Sequence, residues 1–195
     1  MIHWMKGFLF TTAAALALAI IGPGAGSSVA KTESGPPIEG QIQNYQPLET
    51  PAAVPDVTVL DQEDGLITLD RFKGKFVVLN FWATWCGPCI RELPSLDRLN
   101  TKLDGEKAQV VLISQDRGGF KQTDRFLKKL KVTFPDNFID ERLKFSRAIG
   151  VVSLPTTILI GPDGKEVGRL VGHAEWDAPE ALDLIVWYMD RAGSS

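Results

Sequence analysis

Sulfur is scarce in this chain. Only two of its 195 residues are cysteine, Cys86 and Cys89, separated by Gly87-Pro88. A structural disulfide framework needs more cysteines at wider spacing, and so short a loop removes little unfolded-chain entropy. Beyond residue 30 the sole histidine is His173 and the sole methionine is Met189. Tetrahedral zinc wants four ligands and copper(I) wants soft ones, so this shortage argues against metal binding as the pair's main role. No basic block or RNA-reading aromatic motif is present, which excludes nucleic acid as a partner class. There is no internal repeat.

Charge of either sign is nearly missing from residues 1–30, where Lys6 stands alone. An uncharged, mostly apolar run of fourteen residues follows it from Phe8 to Ile21, broken by Gly22, Pro23 and Gly24. Ser28-Val29-Ala30 has the small-x-small form of a cleavage site, and the whole reads as a secretory signal peptide. A spanning helix needs about 20 apolar residues. An uncleaved anchor therefore remains an alternative only if Ile2, Trp4 and Met5 extend the run past Lys6. Both readings place the rest of the chain outside the cytoplasm, in a periplasmic or similar compartment. Residues 31–55 carry five prolines and little apolar periodicity, the composition of a flexible tether.

Residues 56–195 have the makings of one domain of ordinary composition. The spacing predicts a hairpin from Val57–Leu60 and Leu66–Leu69, then a strand buried on both faces over Phe76–Trp82. A helix should run from Gly87 to about Leu103, a strand over Val110–Ser114 and an amphipathic helix over Gly119–Lys131. A short helix near Glu141–Ile149 precedes strands at Thr156–Ile160 and Glu166–Val171, joined by the turn sequence GPDGK. Pro179 is well placed to open a last helix to about Arg191. Such alternation implies an α/β domain with a central mixed sheet flanked by helices.

Cys86 and Cys89 fall where the buried strand gives way to a helix. A thiolate at a helix N-terminus is stabilised by the macrodipole and free N–H groups, which lowers its pKa. Cys86, at the cap, is expected to be the exposed nucleophile and Cys89, one turn in, the resolving thiol. Glu92 shares a helical face with Leu96, Leu99 and Leu103, so it should point coreward below Cys89. Desolvation there would raise its pKa and suit it to relay the Cys89 proton. A solvated position at the edge of that face is the alternative. Pro94 lies inside the same helix and is read as a structural kink. Trp82 is assigned to the core, Trp85 to a contact surface beside the cysteines, and Trp176 and Trp187 to packing.

VVLNFWATWCGPC resembles the active-site strand and helix start of the thioredoxin superfamily. CGPCIRELP matches the W-C-x-P-C-x-x-E-x-P pattern of its exported TlpA/ResA-like thiol–disulfide oxidoreductases. SLPTTILIGPDGKEVGRLVG resembles that branch's cis-proline strand and hairpin, and GHAEWDAPEAL is similar to TlpA. The resemblance covers about Pro55–Arg191. It implies a thioredoxin fold with an added N-terminal hairpin, no cofactor, and a cis Leu154–Pro155 bond. It also implies substrate binding by Trp85, Gly87, Pro88, Leu154 and Pro155, and a proton-handling role for Glu92. Ordinary thioredoxins carry aspartate where this chain has Asn80. The implied partners are protein disulfides, such as apocytochrome c haem-attachment cysteines or copper-site assembly proteins. A membrane thiol reductase of CcdA/DsbD type would supply the electrons. The Gly-Pro dipeptide resembles that of thioredoxin, whose potential is about −270 mV, rather than strong oxidants at about −120 mV. A thiol oxidase or isomerase, and a non-redox metallochaperone or binding module, are the competing readings. A monomer is the default expectation.

Overall fold

The structure, a computed structural model, describes residues 35–193 with the exception of 64 and 141. The expected leader, residues 1–30, and the first four residues of the expected tether lie outside the described residues. Eight strands form one mixed sheet. They are β1 (Tyr45–Ala53), β2 (Val59–Leu60), β3 (Leu66–Ile67), β4 (Phe76–Trp82), β5 (Ala108–Ser114), β6 (Asn137–Ile139), β7 (Thr156–Ile160) and β8 (Lys165–Val171). Their order across the sheet is β1-β8-β7-β4-β5-β6-β2-β3. Strands β4, β5 and β6 are parallel, and the remaining pairings are antiparallel. Among the described residues the α-helices are α1 (Gly87–Lys102), α2 (Gly119–Leu130), α3 (Lys144–Ala148) and α4 (Pro179–Ala192).

All seven residues of β4 and all seven of β5 are buried, as a strand covered on both faces requires. Even-numbered β4 residues such as Val78 and Trp82 pack with Leu93, Leu96 and Leu99 of α1 and Leu184 of α4. Odd-numbered Val77, Leu79 and Phe81 pack on the other face with Phe138 and with Phe145 of α3. This alternation decides which β4 side chains meet α1, and Asn80 is among them.

The tether reading needs correction over Tyr45–Ala53. That segment is an edge strand, paired antiparallel with β8 from Tyr45↔Leu170 to Ala53↔Lys165. Its two prolines, Pro47 and Pro51, are tolerable because an edge strand need not donate on its outer side. Tyr45 anchors it: the side chain is buried and packs edge-on against Tyr188 of α4, with ring centroids 6.1 Å apart. Strand β6 was not expected either, and the helix expected from Glu141 is only Lys144–Ala148.

Candidate active site

Strand β4 ends at Trp82, and the short loop Ala83–Trp85 turns directly into α1. Cys86 is the N-cap of that helix, with Pro88 in its first turn, where the missing N–H costs nothing. Cys86 and Cys89 are joined by a disulfide with Cα atoms 5.3 Å apart. The Cys89 N–H donates to Cys86 Sγ at 3.2 Å, so the sulfur sits on a free donor of the helix start. A thiolate formed at Cys86 on reduction would be held by that same donor and by the macrodipole. Cys86 is less exposed than expected, keeping 6% of its surface, while Cys89 keeps none.

Glu92 is fully buried on α1. Its Oε1 accepts from Asn80 Nδ2 at 2.6 Å and its Oε2 from the Ala174 N–H at 3.2 Å. Burial pushes its carboxyl up to about 8, against the pull of these two donors toward the anion. The Trp176 indole adds a weaker pull in the same direction, although its Nε1 makes no hydrogen bond of proper geometry. Asn80 Nδ2 also reaches Thr157 Oγ1 at 2.9 Å, while Asn80 Oδ1 is buried without a partner. Turning the amide over would let Oδ1 accept from protonated Glu92, so either protonation state can be satisfied at this contact.

Three residues on one side of α1 fasten the loop after β8. Glu92 takes the Ala174 N–H, Ser95 Oγ takes the Trp176 N–H at 3.0 Å, and Arg98 grips both oxygens of Asp177 at 2.7 and 2.9 Å. Ser95 Oγ in turn donates to the Glu92 carbonyl at 2.8 Å. The helix runs through Pro94 without a break.

The redox loop is fastened from its other side by Asp116, a buried carboxylate at the end of β5. It accepts from the Thr84 N–H (2.8 Å), Thr84 Oγ1 (2.7 Å), Ser114 Oγ (2.9 Å) and Gln122 Nε2 of α2 (2.9 Å). Nothing in the local sequence announces this cluster, because Asp116 and Gln122 lie 32 and 38 positions from Thr84.

A groove of about 570 Å³ opens beside Cys86. Trp85, Gly87, Pro88 and Leu154 line it as the sequence suggested, joined by Arg147 and Val152, which it did not. Trp85 and Val152 are 68% and 90% exposed, an unusual display of apolar surface next to a thiol. The Leu154–Pro155 peptide is cis. Pro155 itself is buried behind the groove wall, its carbonyl taken by the Gly172 N–H at 2.9 Å. Among the described residues no group of three or more His, Cys, Asp or Glu side chains could hold a metal ion.

This geometry has many relatives. The Redoxin family profile matches residues 50–185. The chain belongs to the Redoxin family. The thiol–disulfide oxidoreductase ResA of Bacillus cereus is 33% identical over 135 residues, which is 69% of this chain and 77% of that protein. A Chlorobium tepidum protein assigned as thiol:disulfide interchange protein DsbE superposes with a TM-score of 0.64 at 27% identity, covering 73% of this chain and 99% of that one. A DsbF homologue from Corynebacterium diphtheriae gives a TM-score of 0.58 at 26% identity, over 72% and 92% of the two chains. This Redoxin-family member therefore has the thioredoxin fold and is a thiol–disulfide oxidoreductase of the ResA/DsbE type.

The two sulfurs differ in their surroundings. Only Cys86 borders the groove, so a disulfide arriving from solvent meets Cys86 first. Cys89 has no exposed surface and does not line the groove.

Proposed function

We propose that the protein reduces selected protein disulfides outside the cytoplasm by dithiol exchange. The observation that carries this reading is the Cys86–Cys89 pair at a helix start, with a buried Glu92, its titration raised to about 8, one turn further along α1. The Cys86 thiolate attacks one sulfur of the substrate disulfide, and the other leaves as a thiolate. Cys89 loses its proton to the Glu92 carboxylate and attacks Cys86 of the mixed disulfide. The substrate leaves as a dithiol, and the protein is left with the Cys86–Cys89 disulfide. A carboxyl raised to about 8 is well matched to a thiol of ordinary pKa near 8.5.

Trp85, Gly87, Pro88 and Leu154 form the wall against which the substrate chain lies, with Pro155 setting the turn behind it. The leader-like residues 1–30 support an extracytoplasmic location, either released or held at the membrane. In an oxidising compartment the pair would stay oxidised without an electron source, so a membrane thiol reductase of CcdA/DsbD type is the donor in this reading. Apocytochrome c haem-attachment cysteines and copper-site cysteines of respiratory oxidases are the acceptors. The likeness to proteins named ResA and DsbE supports work on thiols without naming the substrate.

Substitution Cys89→Ala tests the reading. It removes the resolving thiol, so mixed disulfides with substrates should accumulate through Cys86 and vanish on adding a reductant. Recovery of partners whose cysteines are already joined to each other, rather than to Cys86, would point to a thiol oxidase instead. A chain that traps nothing in either form would be a binding module.

A further inference from the structure

We propose that the cationic face of α2 is a docking surface for an acidic segment of the protein whose disulfide is reduced. The inference rests on the reductase reading above and adds a partner chemistry to it. Lys121, Arg125 and Lys129 are all exposed and recur every four residues, so they form one stripe about 12 Å long. Together with Thr84, Gln122 and Phe126 they line a depression directly beside the redox loop. On the other side of that loop the groove at Cys86 adds a fourth exposed cation, Arg147. No carboxylate lines either depression, and Asp124, the only acidic residue of α2, lines neither. The whole chain has a net charge of −3, so this local excess of positive charge runs against the composition.

Of the three cations only Lys129, in the last turn, suits the macrodipole of the helix that carries the stripe. Like charges at i,i+4 weaken a helix, and a cation in the first turn opposes the macrodipole. Lys121 stands in that first turn, which holds no acidic residue. None of the three cations makes a hydrogen bond or ion pair among the described residues. An exposed face serving only solubility would mix signs.

The stripe is also held in register with the thiols. Gln122, between Lys121 and Arg125, donates to Thr84 Oγ1 at 2.6 Å and to Asp116 Oδ1 at 2.9 Å. Thr84 is two residues from Cys86, so a segment bound along α2 is presented at a fixed offset from the reactive sulfur. Trp85 and Val152 then supply apolar contact where the incoming cysteine sits. Complementary charge of this kind raises association rates and selects partners.

The test uses the reduced full chain and three disulfide-bonded peptides alike except for a flanking run of glutamate, glutamine or lysine. The second-order exchange rate for the glutamate peptide should exceed that of the glutamine peptide about tenfold at low ionic strength, and the ratio should shrink as salt is added. In the triple variant K121Q/R125Q/K129Q the ratio should approach one, and in K121R/K129R it should persist. Binding of a cysteine-free glutamate peptide to the oxidised chain, read by tryptophan fluorescence, separates docking from chemistry. Salt-sensitive binding without reduction of any disulfide would leave the docking surface standing and remove the reductase reading. Reduction of all three peptides at equal rates, with no binding, would overturn the docking surface and keep the reductase reading. Loss of binding to phosphatidylglycerol vesicles in the triple variant, with no peptide preference in the parent chain, would assign the stripe to a membrane and also overturn the proposal.

Discussion

Asn80 of β4 and Glu92 of α1 meet in the dry interior at 2.6 Å, and this contact joins the central strand to the helix that carries both cysteines. Both side chains are fully buried. The distance suits an O–H···O bond as well as a short N–H···O bond, which fits a carboxyl that gains and loses a proton in place. Asn80 occupies the position where ordinary thioredoxins have aspartate. Here the ionisable group sits across the contact, on the helix, closer in sequence to the thiol it is proposed to serve.

Glu92→Gln should slow release of reduced product on the order of 100-fold or more, because Glu92 no longer takes the Cys89 proton. The ionisation near pH 8 should also disappear from the pH–rate profile, which a merely structural role would not cause. Stopped-flow exchange with a small disulfide between pH 6 and 9 measures both. An unchanged profile would remove Glu92 from the mechanism.

The same group makes stability depend on pH. Glu92 titrates at about 8 when folded and near 4.5 otherwise, so between those values the folded state holds a proton that the unfolded state has released. Stability contributed at acid pH is therefore lost as pH rises through this window, by about 1.4 kcal/mol per pH unit, and levels off above it. Urea midpoints of the oxidised protein at several pH values should show this slope. Glu92→Gln should flatten it.

Asp116→Ala removes the acceptor of four hydrogen bonds and leaves the Thr84 N–H without its partner. The loss should be on the order of 3 kcal/mol. Exchange should slow as well, since Thr84 is two residues from Cys86. An unfolding free energy within about 0.5 kcal/mol of the parent's, the range of a neutral surface change, would contradict the positioning role.

Gly168→Ala should loosen β1 while sparing the redox site. A Cβ at Gly168 would press on the Tyr45 hydroxyl and lie 2.7 Å from the Gln46 carbonyl oxygen. Overpacking of this sort costs about 1–3 kcal/mol. Amide exchange should accelerate across Tyr45–Ala53 and stay slow in β4. Protection of β1 equal to that of the parent would show that the edge strand does not depend on this close approach.

Much of this architecture was legible because local pattern and burial agree. FVVLNFW and the run through Ser114 are apolar enough to be strands covered on both faces, and GPDGK marks its hairpin. The helical spacing of Glu92 with Leu96 and Leu99 foretold its burial. Strand β1 was not legible: YQPLETPAA has two prolines and eight exposed residues, and only Tyr45 ties it to the core. Its pairing is decided by the bare backbone of Gly168, far away in sequence. Strand β6 is three residues long and follows Pro135, too short for any period to show. Asp116 reads as a polar loop residue until the fold brings Thr84 and Gln122 to it. Arg147 and Val152 join the groove for the same reason.

The reduction potential of the Cys86–Cys89 pair, equilibrated against defined thiol buffers, tests the central claim most directly. A reductase dependent on an electron donor should give a value close to the roughly −270 mV of thioredoxin. A value close to about −120 mV would mean that the protein donates disulfides, and the reductase account would fall.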